Sequence, residues 1–426
     1  MNKMNPGYFA ICLLLLSACN ADDEDRPVRF ASAIEESASC GQSSVIDPSF
    51  SVYSWEKIGE TIHGGPPSTS GGSEFENAVG FDVGISRDGR KIVSSIGDER
   101  LRSFSLDTNG LEQSETDIDR YYKPQFSLSG NGSVLLQNSE STVTLLTRSN
   151  GNDWKIAHEF MGDSDSVANS VAVNSSGTLV AISARNEIRT YELLENGSWR
   201  QLEPILGQPG ENLGSKLILS NDGRTLFALR AFGINIYKLD VDKWIYQNTD
   251  GDEYVFNRYN RGSEDWNYGP PFSTYMAASG NGNVVAVGYV STNFRTTKDF
   301  TVRMFAFEDG AIHPIGQTLH AAHRHDSFGH GLDLNCDGSV VAIGADTKWT
   351  LGDESAYVRS FVNIDNAWHQ IGEDITFDNQ GLGDLAISEN GETIIIGQAN
   401  DYATDVRKLN FYGELRAYEL VRSDTE

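Results

Sequence analysis

One short turn occurs seven times in this chain, each time between two apolar runs: Ser86-Arg87-Asp88-Gly89, Ser129-Gly130-Asn131-Gly132, Asn174-Ser175-Ser176-Gly177, Ser220-Asn221-Asp222-Gly223, Ser279-Gly280-Asn281-Gly282, Asn335-Cys336-Asp337-Gly338 and Ser388-Glu389-Asn390-Gly391. Asp-Gly and Asn-Gly suit tight turns because Gly accepts positive φ and Asn or Asp hydrogen-bonds its own backbone. The closing glycines lie 43, 45, 46, 59, 56 and 53 residues apart. A fixed spacing of this size marks a chain built from supersecondary units that cannot bury their faces alone.

Each unit reads as sheet. Around the sixth turn the runs are Gly331 to Leu334, Ser339 to Ala345, Tyr357 to Val362 and Trp368 to Gly372, four short β-branched and apolar stretches bounded by Gly, Asp and Asn. The second run is apolar nearly throughout, as expected of a strand covered on both faces. Four antiparallel strands at this period make a propeller blade. The fourth run carries a mark of its own, an aromatic or apolar residue followed by Ile-Gly or its relic, at Trp199 to Leu202, Ile312 to Gly316 and Trp368 to Gly372. The last unit stops after a third strand, Glu414 to Leu420, and the missing fourth pattern stands near the other end of the chain, at Ser54-Trp55-Glu56-Lys57-Ile58-Gly59-Glu60-Thr61-Ile62. The expected fold is therefore all-β: a seven-bladed β-propeller of four-stranded antiparallel blades over residues 49–426, its ring closed when Trp55–Ile62 becomes the outer strand of the last blade.

The N-terminus has a different character. Lys3 precedes the apolar run Tyr8 to Leu16, which is too short to span a bilayer. Leu16-Ser17-Ala18-Cys19 follows it and resembles the bacterial lipobox, in which the cysteine becomes the acylated first residue of the mature chain. The resemblance implies a signal peptide over residues 1–18, a palmitate-bearing lipid anchor on Cys19 and, with Asn20 in the next position, delivery to the outer membrane, on either its periplasmic or its surface side. Residues 19–48 are rich in Asp, Glu, Ser and Ala without periodicity and read as an acidic flexible tether.

The formal charge of −27 repels phosphate backbones, which argues against nucleic acid as a partner. Loss of residues 1–18 and Cys19 acylation leave two cysteines, Cys40 in the tether and Cys336 in the sixth turn, which in an oxidising compartment either form one disulfide or remain separate thiols.

In a propeller the loops between second and third strands share one face with the connections between blades. The second-to-third loops are short in blades one to four and long in blades five to seven, where they carry Trp349 and Tyr402. The connection from blade four to blade five, about residues 247–275, holds Tyr254, Tyr259, Trp266, Tyr268 and Phe272. Aromatic side chains on loops offer large amphipathic contact area, suited to protein or glycan recognition, unless they pack on one another as a small local core. The connection from blade five to six places His320, His323 and His325 next to Asp326. These residue types can ligate a metal, although their spacing matches no zinc motif, and a solvated polar loop accounts for them equally. No cofactor is otherwise implied.

Phe328-Gly329 with Ala342-Ile343-Gly344-Ala345 resembles FG-GAP repeats of integrin-type propellers. Asp333-x-Asn335-x-Asp337-Gly338 is similar to the start of their calcium loops, but Val341 stands where the closing carboxylate belongs. The Ser-x-Asp-Gly turns equally resemble the WD-repeat-like propellers of bacterial periplasmic proteins, without the Trp-Asp strand ends. Taken together, the chain resembles a bacterial lipoprotein carrying a seven-bladed propeller. That implies a membrane-tethered, non-enzymatic binding or scaffold protein of the cell envelope with a protein or glycan partner. The alternative is a glycan-active or metal-dependent envelope enzyme. A sialidase-type Asp-box is absent, and no blade carries a convergent catalytic set.

Overall fold

The computed structural model describes Cys40 and, within residues 52–423, everything except 66–77, 98–99, 114–116, 120–124, 139–141, 149–152, 162–167, 185, 231–232, 248–274, 291–299, 309, 324–325, 348–354, 378–380 and 399–412. Five of the aromatic residues singled out above (Tyr254, Tyr259, Trp266, Tyr268 and Phe272) lie outside this set, as do Trp349, Tyr402, His325 and Cys19.

Seven antiparallel sheets form a ring of blades. Blade six shows the plan: Ser327–Leu334 lies innermost, followed outward by Val340–Asp346, Tyr357–Ile364 and Ala367–Thr376. Blades one and three add a two-residue strand, Ile118–Asp119 and Ile205–Leu206, each paired to the start of its blade's third strand.

The turn between first and second strands is built the same way seven times. In blade one the Ser86 hydroxyl accepts from Lys91 N at 2.9 Å and donates to Asp88 Oδ1, while Gly89 N donates to Ser86 O at 2.9 Å. The closing glycines all have φ between 66° and 78°. They also approach the preceding blade closely: a Cβ on Gly177 would lie 2.4 Å from Val134 Cγ2 and one on Gly338 2.5 Å from Val284 Cβ. Both demands exclude a side chain at this position.

The turns are also joined to one another. Arg87 N donates to Gly130 O, Asn131 N to Ser175 O, Ser175 N to Asn221 O, Asn221 N to Gly280 O, Asn281 N to Cys336 O, Cys336 N to Glu389 O and Glu389 N to Arg87 O, at 2.7 to 3.2 Å. Seven backbone hydrogen bonds thus make a closed circle around the axis. Behind it the apolar residues fall into seven clusters, one at each joint between neighbouring blades. Phe328, Ile343 and Tyr357 of blade six, for example, pack with Val302 and Met304 of blade five.

The ring closes as the sequence indicates. Val52–His63 pairs antiparallel with Glu414–Ser423, from Val52 opposite Ser423 to His63 opposite Glu414, and is the outer strand of blade seven. The Ile-Gly mark is a bulge. The register slips after Ile58, after Ile315 and after Ile371, and the glycine that follows in each case has φ of 64° to 66°. Each bulge faces the next blade, because a Cβ on Gly316 would meet the Trp368 ring at 2.3 Å and one on Gly59 would meet Asn109 O at 2.2 Å.

In five of the blades a tryptophan in or just before the outer strand ties it back to the blade before. The indole N–H of Trp55 donates to Ser360 Oγ at 2.7 Å, that of Trp244 to Thr190 Oγ1 at 2.8 Å, that of Trp154 to Ser103 Oγ at 3.3 Å and that of Trp368 to Ile315 O at 3.1 Å. Trp199 packs edge-on against Phe160 of blade two, with ring centroids 5.3 Å apart. A buried indole needs such an acceptor.

Gly59→Ala and Gly197→Ala separate conformation from packing. Gly197 has φ of 79° and open space around it, so its substitution should cost about 1 kcal/mol for the left-handed backbone alone. At Gly59 the added methyl also collides with the backbone of blade one, and the loss should exceed that by at least ~2 kcal/mol. Urea unfolding of the two variants tests this, and equal losses would show that the seam at Gly59 is loosely packed.

Candidate functional site

The first strand of every blade is an edge strand facing the axis, so half of its backbone N–H groups have no partner within the blade. The preceding blade supplies several of them. Ser127 Oγ accepts from Val173 N at 3.1 Å, Ser170 Oγ from Leu217 N at 3.0 Å, Asp333 Oδ2 from Ile387 N at 2.9 Å and Asp384 Oδ2 from Val83 N at 3.3 Å. These side chains line a central cavity of about 580 Å³. Asp82, Gln125, Ser170, Lys216, Tyr275 and Asp384 all face this cavity, and each stands four residues before the first residue of its turn. They form a polar layer across the channel. The signal was in the sequence and required only counting back from each turn.

Two of the carboxyls are perturbed. Burial within the ring pushes Asp333 up to about 6, opposed by the N–H groups of Ile387 and Leu334 and by Lys216. Burial pushes Asp384 up to about 7; Lys216 opposes this, and the neighbouring Asp82 charge adds to it. Both side chains keep some contact with the channel space, so solvent there screens part of the penalty. Carboxyls held near neutrality in a cavity are also what general acids require. These two are engaged by backbone N–H groups of the next strand or of their own.

The channel is narrowed where the turns meet. The second residue of each turn points inward, and the large ones reach across: Arg87 pairs with Glu389, and Asn221 Nδ2 donates to Glu389 Oε1 at 2.6 Å and approaches Cys336 Sγ at 3.4 Å. Burial raises the pKa of Glu389 in spite of Arg87. Glycines make room for this cover. A Cβ on Gly130 would lie 2.1 Å from Ser175 Oγ and one on Gly280 2.3 Å from Asn221 Nδ2. Cys336 is bonded to Cys40, with Cα atoms 5.5 Å apart, so the N-terminal segment is fastened at the centre of this face.

Strand direction sorts the remaining segments. First-to-second and third-to-fourth turns lie on this turn face, and second-to-third loops and blade connections leave the opposite one, the connection face. The strand ends that flank residues 248–274, 291–299, 348–354 and 399–412 are all on the connection face. The long aromatic segments are therefore attached to one side of blades four to seven.

The histidine segment starts on the same side. His320 ends the outer strand of blade five and is exposed, as is His323. Asp326 is fully buried, and its Oδ2 accepts from His323 N at 3.0 Å and from the Tyr357 hydroxyl at 3.1 Å, while that hydroxyl in turn accepts from Ala322 N. Burial raises the pKa of Tyr357, which keeps it a donor. Among the described residues no three ligating side chains come together as a metal site. The Asp333, Asn335 and Asp337 oxygens are engaged likewise: Asn335 Oδ1 accepts from Val340 N and Asp337 Oδ1 from Ser339 N, both at 2.9 Å, leaving the turn without a free set for calcium.

No protein-family model and no curated protein sequence matches the chain. Solved structures do. The WD40 repeats of RRP9 superpose with a TM-score of 0.55 at 10% identity, covering 86% of this chain and 100% of that one. U3-55K gives 0.54 at 10% identity over 82% and 97%, and the Myceliophteria thermophila Cps50 (Swd1) β-propeller domain 0.51 at 13% identity over 85% and 99%. At this identity the likeness is one of fold: this chain, a seven-bladed propeller, shares its β-propeller architecture with these WD40 structures.

Because the folded-state pKa values of Asp333 and Asp384 exceed the 3.8 of an ordinary aspartate, the native protein binds more protons than the unfolded chain between about pH 4 and 7. Their contribution is therefore fully present below about pH 4 and is lost progressively as pH rises to about 6 for Asp333 and about 7 for Asp384. Asp384→Asn keeps an acceptor for Val83 N and removes the titration. It should approach the parent's stability below about pH 4 and exceed it by on the order of 1–2 kcal/mol at pH 8. Thermal melts at the two pH values check this; a difference independent of pH would show that the carboxyl is solvated.

Proposed function

We propose that this chain is a membrane-tethered, non-enzymatic binding or scaffold propeller of the bacterial cell envelope, acting on a protein partner through the connection face. The observation that carries the reading is the asymmetry of the ring. The turn face is made of short, mutually hydrogen-bonded turns, whereas the long aromatic-rich segments all attach to the connection face beside the channel mouth. Large loops on a rigid scaffold are where recognition usually resides. Arginine and aromatic anchors carry most of the energy in such contacts. Ser127, Ser170, Asp333 and Asp384 of the channel are occupied in holding strands together, which supports binding over catalysis.

The tether rests on Leu16-Ser17-Ala18-Cys19 following the apolar run. Two or more acyl chains on Cys19 anchor stably, where one would not. The net charge of −27 keeps the body away from anionic surfaces other than through that lipid.

Cys19→Ser should move the protein from the membrane pellet to the soluble fraction of cell extracts. Continued sedimentation with membranes would rule out the lipid anchor. Trp266→Ala, Tyr268→Ala and Trp349→Ala should each lower capture of the partner by tenfold or more in affinity, with unchanged melting temperature, if the rings are exposed anchors. Lowered melting with capture intact would show instead that they form a local core.

A further inference from the structure

The chain N-terminal to the propeller is tied to the ring at two places, and both lie on the turn face. The first is the closing strand. The third strand of blade seven, Glu414–Ser423, starts on the connection face and ends on the turn face, and Val52 pairs with its last residue, Ser423. The N-terminal chain therefore enters the fold on the turn face, at the rim. The second place is the disulfide. Cys336 lies in the circle of turns at the axis, in contact with the Asn221 and Glu389 cluster that covers the channel, and Cys40 is bonded to it. Eleven residues, 41–51, separate Cys40 at the axis from Val52 at the rim in the sequence. The disulfide therefore moves the point of departure of the preceding chain from the edge of the turn face to its centre.

This placement has a mechanical consequence for a body held by its N-terminus. Twenty residues separate Cys19 from Cys40, against thirty-two between Cys19 and Val52. A flexible chain of the shorter length has a root-mean-square span of about 25 Å. A ring pulled at its axis through such a tether settles with the pulled face down. A ring pulled at its rim through a longer one tips and rolls.

We propose that the Cys40–Cys336 disulfide is an orientation device: it draws the N-terminal segment to the axis, so that the anchored propeller sits with its turn face against the membrane and presents the connection face to the aqueous compartment. The proposal rests on the reading of Cys19 as the lipid anchor. It identifies the occupant of the connection face as a macromolecule arriving from solution, since a lipid surface lies on the other side of the ring. It also sets the cluster of Arg87, Glu389 and Asn221, which narrows the channel at the turn face, on the membrane side.

The two faces can be told apart by energy transfer. Val241 lies in the third-to-fourth turn of blade four, on the turn face, and is 87% exposed; Leu206 pairs with Glu187 at the connection end of blade three and is 71% exposed. An azide-bearing amino acid at either position, coupled to a donor dye, avoids the native cysteines. The full-length acylated protein is then incorporated into vesicles of phosphatidylethanolamine and phosphatidylglycerol that carry an acceptor lipid. Transfer should be several-fold greater from position 241 than from 206, and the difference should shrink at least by half in the Cys40→Ser/Cys336→Ser protein, whose melting is recorded in parallel to confirm the fold. Equal transfer from the two positions on vesicle-bound protein, or greater transfer from 206, would overturn the orientation while leaving the anchor standing. An undiminished difference in the protein lacking the disulfide would assign orientation to the closing strand and remove the disulfide from it. Protein that floats free of the vesicles would overturn the anchor and, with it, this inference.

Discussion

Each blade buries both of its faces against its neighbours, so the joint between the last blade and the first is the one on which all the others depend. An open row of seven blades would leave two apolar faces in water. The joint is made three times over: by the pairing of Val52–His63 with Glu414–Ser423, by the Glu389 to Arg87 hydrogen bond that completes the circle of turns, and by the cluster that packs Ile92, Ile96 and Phe104 against Ile395, Leu415 and Ala417. Placing the N-terminal strand outermost on the last blade converts a hydrophobic requirement into a mechanical clasp, because opening the ring then means stripping a strand from its ladder.

Closure also explains the interior. A ring of sheets has an unavoidable inner rim of edge strands whose N–H groups face a confined cavity. Unpaired, each would cost on the order of 1–3 kcal/mol. Ser127, Ser170, Asp333 and Asp384 meet part of this need from the neighbouring blade. The serines do so without charge. The aspartates accept more strongly, but their ionised form is disfavoured by burial, and Lys216 only partly relieves it. The channel is therefore acidic for structural reasons first, whatever enters it from the open side.

The same geometry makes the two faces of the ring unlike. On the turn face each turn accepts a hydrogen bond from one neighbour or donates one to the other, so its length and shape are held within narrow limits. A residue inserted there would break the circle. The connection face carries no such constraint, since strand ends there are linked across open space, and long insertions leave the core intact. The concentration of aromatic residues in those insertions in blades four to seven is compatible with stability only on that side.

The repeated Ser-x-Asp-Gly turn, the apolar second strands and the displaced fourth-strand pattern at Trp55 to Ile62 determined the architecture, the number of blades and the manner of closure, because they are local signals: turn chemistry and alternation act over a few residues and survive any reading of the chain as a line. Trp154 and Trp244 belong to the same pattern as Trp55, Trp199 and Trp368, yet their acceptors, Ser103 and Thr190, stand 51 and 54 residues away and could not be paired with them by spacing. The cover of Arg87, Asn221 and Glu389 and the seat of Asp326 beneath Tyr357 share this origin, whereas the polar channel layer follows from a fixed position before each turn. Cys40 and Cys336 are the extreme case, 296 residues apart in the chain and joined at the axis. Only closing the ring decides which residues meet there, since side chains that are independent along the sequence become neighbours when seven blades are forced to share one centre.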